Sequence, residues 1–483
     1  MSLKYNLLKN YLSHEEALDI RKSLLIIALP AIGENVLQMI FGIVDTAFLG
    51  HYDWRAMTAA GMANQIIFIL QAVAMAVAMG VTVLIANSIG AKNKKQVELT
   101  TWHAFYLSAV LGVGLSILSL YSKNLMILFP GAQKDLIDLS ADYLRIIFTA
   151  GPAFTMMFVL AGVLRGAGNT RAPMIATGIA NSINVFLDYC MVFGKLGFPE
   201  MGVKGAALAT AISRTIGVMF LIISIIRSDT IGIKLSKPPK WHSKTVLNIF
   251  KIGTPTAMEN FMFSTGVLVF ANILFMVGPQ AYAAHRVGIQ IESLSFMPGW
   301  GIAVAITALA GQFNGAGQIK KIVGTVRQGW LLGILFQVSV GIFMFLFPRY
   351  LILIFTDDPV IMAYAYLPVR IIGLFQIFLA TDAALTGGLR GVGDTKFPMY
   401  VMMLSTWLVR IPIGFIMVKF FSLGLLGAWI GMMADMAIRA IAKYIRFSSG
   451  KWESTALKTR LAVNQAIPSH QQGLTVEEVD VKD

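Results

Sequence analysis

An all-α fold that crosses a membrane many times is predicted by three features of this chain. Of its 483 residues 56% are hydrophobic and only 13% charged, against about 25% charged in soluble domains. Apolar runs long enough to cross about 30 Å of hydrocarbon recur along its whole length, and the mean hydropathy is +0.70. The second half also repeats the first. Runs of about twenty apolar residues suit helices, because barrel strands need only about ten alternating ones.

Residues 1–22 are polar and partly amphipathic and are expected to lie along the inner membrane face. Apolar runs near 24–49, 57–88, 98–121, 137–164, 172–194 and 203–226 form a first lobe of six spans, residues 23–227. A polar linker, 228–247, carries Lys237-Pro238-Pro239-Lys240. Runs near 248–275, 281–312, 322–347, 360–389, 397–418 and 424–447 then form a second lobe, 248–447. The tail, 448–483, is polar, ends on Glu477, Glu478, Asp480 and Asp483, and is expected to be disordered. The first twenty residues lack the apolar core of a signal peptide, so the first apolar run is expected to be a true span.

The formal net charge of +14 would raise the question of nucleic acid in a soluble protein. Here the basic residues concentrate in alternate loops, 24 against 7. Basic residues accumulate on the cytoplasmic side, so both termini are expected in the cytoplasm of a multi-pass plasma (inner) membrane protein. Its expected surroundings are membrane lipids, with no nucleic acid. The single cysteine, Cys190, excludes an internal disulfide and offers no zinc cluster. The six histidines make no HExxH, and no serine elbow is present, so an enzyme is not expected.

The repeat is clearest in Leu164–Met174, LRGAGNTRAPM, which returns 225 residues later as Leu389–Met399, LRGVGDTKFPM. The same offset relates Pro30, Glu34 and Asn35 to Pro255, Glu259 and Asn260, Gln65 to Gln290, and Thr82 to Thr307. Leu128-Phe129-Pro130 is answered seven residues early by Leu346-Phe347-Pro348, and late in each half the register slips by three. Each copy contains an even number of spans, so the halves share one orientation and a substrate path is expected between them. The glycines of the twin motif permit a turn with positive φ, and Pro173 and Pro398 suit the first turn of the next helix.

The halves disagree at their intramembrane carboxylates, which are costly and usually functional. Asp45 lies roughly 30 Å along span 1 and Asp188 roughly 25 Å along span 5, so the two reach similar depth. Asn184 is one turn from Asp188 on the same face, and Thr210 enters from span 6. The 225-offset counterparts of the carboxylates are Phe270 and Ile413. Two carboxyls with an amide and a hydroxyl suit a hard cation such as Na⁺. They equally suit a proton, because two desolvated carboxyls close together resist double ionisation. Glu34 and Glu259 follow helix prolines and are candidates for kink-bonding, gating or cavity-lining roles, as are Gln65 and Gln290 for the cavity. Asp382 and Arg410 are expected to pair, and Asp435 with Arg439 to form a helical i,i+4 pair.

Taken together, the twelve spans in two halves, VDTAFLG at 44–50, the twin LRGxGxT turns and GVKGAALAT at 202–210 resemble the multidrug and toxic compound extrusion (MATE) family. The resemblance runs from about Leu24 to Arg446. It implies a secondary antiporter that exports cationic or amphipathic organic compounds in exchange for H⁺ or Na⁺ by alternating access. It implies no cofactor and a monomer. Asp45, Asn184, Asp188 and Thr210 match the amino-half cation site of the DinF-like and archaeal-type branches, and would be the only metal-type site, for Na⁺. Glu259 and Asp382 sit in the helices that hold the carboxyl-half acidic site of the NorM-like branch, displaced by about a turn. The alternative reading is a flippase for a lipid-linked substrate; the twelve spans and the acidic pair speak against it.

Overall fold

The computed structural model describes residues 4–9, 11–126, 133–232 and 239–464, and these are helical throughout, without a strand. In the first half, α1 (His14–Tyr52), α2 (Trp54–Gly90) and α3 (Lys94–Leu118) lead through a 3₁₀ turn into α4 (Ser122–Leu125). Then follow α5 (Lys134–Thr149), α6 (Gly151–Gly166), α7 (Arg171–Val192) and α8 (Val203–Ile226). In the second half come α9 (Ser243–Val277), α10 (Pro279–Gly315), α11 (Ile319–Leu346), α12 (Pro348–Leu353), α13 (Pro359–Ile372) and α14 (Gln376–Gly391). The chain ends in α15 (Lys396–Ser405), a π turn at Thr406–Arg410, α16 (Ile411–Lys419), α17 (Gly424–Ser448) and α18 (Glu453–Asn464).

Among the described residues, eleven helical segments are long and apolar enough to cross a membrane. The twelfth is α5 with α6, bent by 59° at their junction. The bend has a local cause. Pro152 supplies no backbone N–H, and the Gly151 backbone abuts that of Gly112 so closely that a side chain would not fit. The helix starts follow their capping residues. Ser13 and Glu16 form a reciprocal capping box on α1, and the side chains of Asp53, Asn93 and Asp358 accept from the first backbone N–H groups of α2, α3 and α13.

The repeat reappears as paired contacts. Arg165 Nη2 donates to Glu34 Oε1 at 3.0 Å, and Arg390 Nη2 to Glu259 Oε2 at 2.7 Å. Thr82 Oγ1 donates to the carbonyl of Gly162 at 2.9 Å, and Thr307 Oγ1 to that of Gly387 at 3.1 Å. Across the halves, Asn87 Nδ2 reaches the carbonyl of Gly391 at 3.0 Å, and its counterpart Gln312 Nε2 reaches that of Gly166 at 3.3 Å. Gly90 lies on the backbone of Gln312 and Gly315 on that of Asn87, where a Cβ would collide with a carbonyl. Gly80 and Gly253 do the same against Ile249 and Ala76. These contacts join the halves toward the end of the bundle where α2 and α10 finish. The twin turns lie at that end, with Gly168 at φ +82° and Gly393 at φ +88°.

The two ends of the chain pack on the bundle. At the start, residues 4–9, 11 and 12 run against the second half. Leu7 and Leu12 are buried against the second half, Leu12 resting on Gly324, and the Leu7 carbonyl accepts from Arg327 Nε at 3.0 Å. At the other end, the tail beyond Gly450 is not disordered as far as Asn464 but helical from Glu453. The Trp452 ring stacks on Phe447 at 5.3 Å, and Ala456 and Val463 are buried along α18. Asn314 Nδ2 donates to the Ala456 carbonyl at 3.1 Å and Asn93 Nδ2 to the Val463 carbonyl at 2.9 Å, so α18 spans from the second half to the first. Its three apolar anchors at 452, 456 and 463 are too few to stand out from a polar tail in sequence. The helix α9 also begins within the expected linker, at Ser243. Lys237, Leu128-Phe129-Pro130 and the acidic end after 464 lie outside the described residues.

The twin ion pairs differ in burial. Arg390 is 6% exposed and Arg165 24%. Glu259→Gln, which strands a buried guanidinium, is expected to cost about 3–5 kcal/mol, and Glu34→Gln distinctly less. Thermal unfolding of the two variants in detergent checks the order; equal losses would contradict it.

Candidate functional site

The first-half carboxylates come from α1 and α7, which are joined where Asn181 Nδ2 donates to the carbonyl of Leu37 at 2.9 Å. Asp45 sits fifteen residues beyond Pro30 on α1, and Asp188 near the end of α7. Asp45 is 9% and Asp188 1% exposed, and the Oδ1 atom of each is buried without a hydrogen-bond partner. The amide of Asn184 is oriented by its neighbours. In that orientation it donates to Asp188 Oδ2 at 2.8 Å and accepts from Thr210 Oγ1 at 3.2 Å. Asn184 therefore fastens α7 to α8 and buttresses Asp188. The two carboxylates lie within reach of each other's charge.

A cavity of about 270 Å³ opens onto Asp45 and Thr210 and is completed by Asn64, Tyr143, Phe154 and Arg214. Asp188 and Asn184 stand one step behind Thr210. All four sequence-predicted residues thus gather in one region, and their oxygens could ligate Na⁺ or hold a proton. Sequence reasoning missed Arg214, Tyr143 and Asn64. Arg214 carried the same signal as the carboxylates, a charge inside a span one turn from Thr210. Tyr143 meets Thr210 in the lining of the cavity, a juxtaposition of helices that no local pattern marks. The guanidinium of Arg214 lies over the ring of Phe154 at 4.5 Å. Among the described residues it forms no salt bridge with either carboxylate.

The equivalent place in the second half is filled. Phe270, where the first half has Asp45, is buried beside His285 at a ring separation of 5.8 Å. Trp429 Nε1 donates to His285 Nδ1 at 3.1 Å. The second half's own charges lie elsewhere. Lys443 Nζ donates to Asp382 Oδ1 at 2.6 Å and to Thr386 Oγ1 at 2.8 Å. Arg439 approaches Asp382 at 4.0 Å and Asp435 at 3.3 Å, and Arg410 approaches Asp435 at 3.6 Å. The buried carboxyl of Glu292 faces the two arginines.

The expected Asp382–Arg410 pair is therefore absent. Asp382 on α14 meets the face of α17 that carries Arg439 and Lys443, whereas the π turn directs Arg410 to Asp435. The Asp435–Arg439 pair forms as expected, but in the interior. Glu34 and Glu259 are occupied by Arg165 and Arg390. Gln65 and Gln290 are exposed on α2 and α10 and stand outside the cavity at Asp45.

The second-half cluster opposes Glu292, Asp382 and Asp435 to Arg410, Arg439 and Lys443, and its charges balance. The first-half group opposes Asp45 and Asp188 to Arg214 alone. One negative charge is left over, which is the condition for an exchangeable cation or proton.

The family model described as MatE matches residues 30–190 and 255–416, one match in each half. The chain is 52% identical over 464 residues to the "Probable multidrug resistance protein NorM" of Thermotoga maritima, covering 96% of this chain and 100% of that protein. It is 26% identical to the "Uncharacterized transporter YisQ" of Bacillus subtilis, over 89% of this chain and 94% of that one. Its fold superposes on a crystal structure of MATE in the bent conformation with a TM-score of 0.84 at 21% identity, covering 92% and 100% of the two chains. An outward-facing multidrug resistance MATE family transporter of the MOP superfamily gives 0.82 at 21% identity, covering 90% and 96%.

The buried Lys443–Asp382 pair is expected to be structural. Lys443→Met alone should cost about 3–5 kcal/mol by stranding Asp382, and adding Asp382→Leu should recover most of that loss. A double-mutant cycle on thermal unfolding measures it; additive losses would show that the two side chains do not interact.

Proposed function

The chain belongs to the MatE family, and from that premise we propose that it is a multidrug efflux transporter driven by inward movement of H⁺ or Na⁺ through the Asp45–Asp188 site. The observation that carries the proposal is the charge inequality between the halves. A buried charge without a countercharge is costly in the membrane, so the first half favours a bound cation or a proton while the second does not need one. Thr210 and Asn64 supply neutral oxygens in the same cavity, a donor set suited to a hard monovalent ion. The cytoplasmic placement of both termini rests on the loop charges. With it, the glycine contacts at the turn-bearing end would close the cytoplasmic side.

In this mechanism an ion or proton enters the cavity, neutralises the excess charge, and thereby lowers the cost of closing α1, α7 and α8 around a dry site. Closure on the outer side requires the halves to part where Gly90 meets Gln312 and Gly315 meets Asn87. An amphipathic organic cation would then enter between the halves from the cytoplasm and favour the ion-free state. Ion and substrate stabilise different states, and exchange follows.

The test is transport of a fluorescent organic cation in proteoliposomes under an imposed Na⁺ gradient and, separately, an imposed pH gradient. One gradient is expected to drive transport. Asp45→Asn and Asp188→Asn are each expected to reduce it to below about a tenth while the protein remains in the membrane. Full transport by both variants would show that coupling lies elsewhere.

A further inference from the structure

We propose that Arg214 is a tethered countercharge that limits the first-half site to one monovalent cation, or one proton, per transport cycle. The proposal deepens the coupling reading above and rests on it. Its ground is the makeup of the cavity. The charged and titratable groups that face Arg214 are Asp45 from α1 and Tyr143 from α5; Asp188 from α7 stands behind Thr210, within reach of the charge of Asp45. From α2 come Asn64 and Ile67 and from α6 Phe154, none of them titratable.

Two carboxylates alone would present two negative charges and call for two cations. Arg214 removes one of these demands permanently, since a guanidinium does not give up its proton in proteins. Its placement keeps the site open. It rests on Phe154 at 4.5 Å, with Phe158 at 5.9 Å, and holds neither carboxylate in a salt bridge. Asp45 Oδ1 and Asp188 Oδ1 therefore stay unpartnered. An arginine clamped onto Asp45 would instead occupy the ligand position, as Lys443 does at Asp382 in the second half. Charge compensated at a distance leaves the oxygens free while fixing how many ions they take.

The measurement is the number of coupling ions moved per substrate, taken from the membrane potential at which transport reverses in proteoliposomes. The protein and its Arg214→Lys variant are expected to move one ion per substrate, and Arg214→Gln two. A value of one for Arg214→Gln overturns the proposal. So does a value of two for Arg214→Lys, which would mean that guanidinium packing, not charge, sets the count. If Arg214→Gln folds, judged by its elution profile and thermal unfolding, but does not transport, ions are counted on the purified protein. Na⁺ bound or protons released on loading should then number two per molecule, and one overturns the proposal. Asp45→Asn separates this from the coupling reading. Unimpaired gradient-driven transport by Asp45→Asn refutes the site itself, whereas its loss together with an unchanged count in Arg214→Gln refutes the role of Arg214 alone.

Discussion

A charge buried in hydrocarbon has to meet a countercharge or a ligand, and the ion pairs inside this bundle answer to that requirement. The twin arginines of the repeated turns meet it with twin glutamates on α1 and α9. Each pair ties the first helix of a half to the helix that ends in the repeated turn. The same helices are clamped from the other side by Thr82 and Thr307, whose hydroxyls bond the carbonyls of Gly162 and Gly387. Each half is therefore a stiff body by the time it meets its partner. Stiffness matters because two bodies can rock only if neither deforms first.

Where the bodies meet, glycine determines the geometry. Side chains at Gly90 and Gly315 would strike the backbones of Asn87 and Gln312, so only a residue without Cβ allows α2 and α10 to cross so closely. Around these glycines Leu24 and Ile27 of α1 pack into one core with Ile302, Ile306 and Leu309 of α10, so the halves also share buried apolar surface at this end. The strap formed by residues 4–9, 11, 12 and α18 adds a second, peripheral connection at the same end. It is held by Trp452 in the second half and by the Asn93–Val463 bond to the first.

The two halves handle buried acids in opposite ways. The second half neutralises Asp382 with Lys443 at 2.6 Å and packs Phe270, His285 and Trp429 where the first half has its cavity. The first half leaves Asp45 and Asp188 short of countercharge and holds Arg214 back on an aromatic ring. A duplicated frame thus carries one settled and one unsettled charge cluster. In the proposed mechanism the frame supplies the symmetry that rocking needs, and the unsettled cluster supplies something for an ion to change.

Much of this was legible in the sequence. Hydropathy and the 225-residue repeat determined a two-half helical membrane bundle, because each is carried by residue type and spacing alone. Asp45, Asn184, Asp188 and Thr210 were legible too, since a carboxylate in an apolar run is conspicuous and the other half supplies a blank for comparison. Only the tertiary structure decided which charges meet. Arg165 finds Glu34 across 131 positions of chain, Lys443 finds Asp382 across 61, and the predicted Asp382–Arg410 pair gives way to both Lys443 and Asp435. It likewise decided that Arg214 faces the cavity at Asp45 and that residues 453–464 form a docked helix. The physical reason is common to all of these. A side chain's partner depends on which face of which neighbouring helix it meets, and that face is set by crossing angles, a bend at Gly151 and a π turn at Thr406–Arg410, none of which a residue type records.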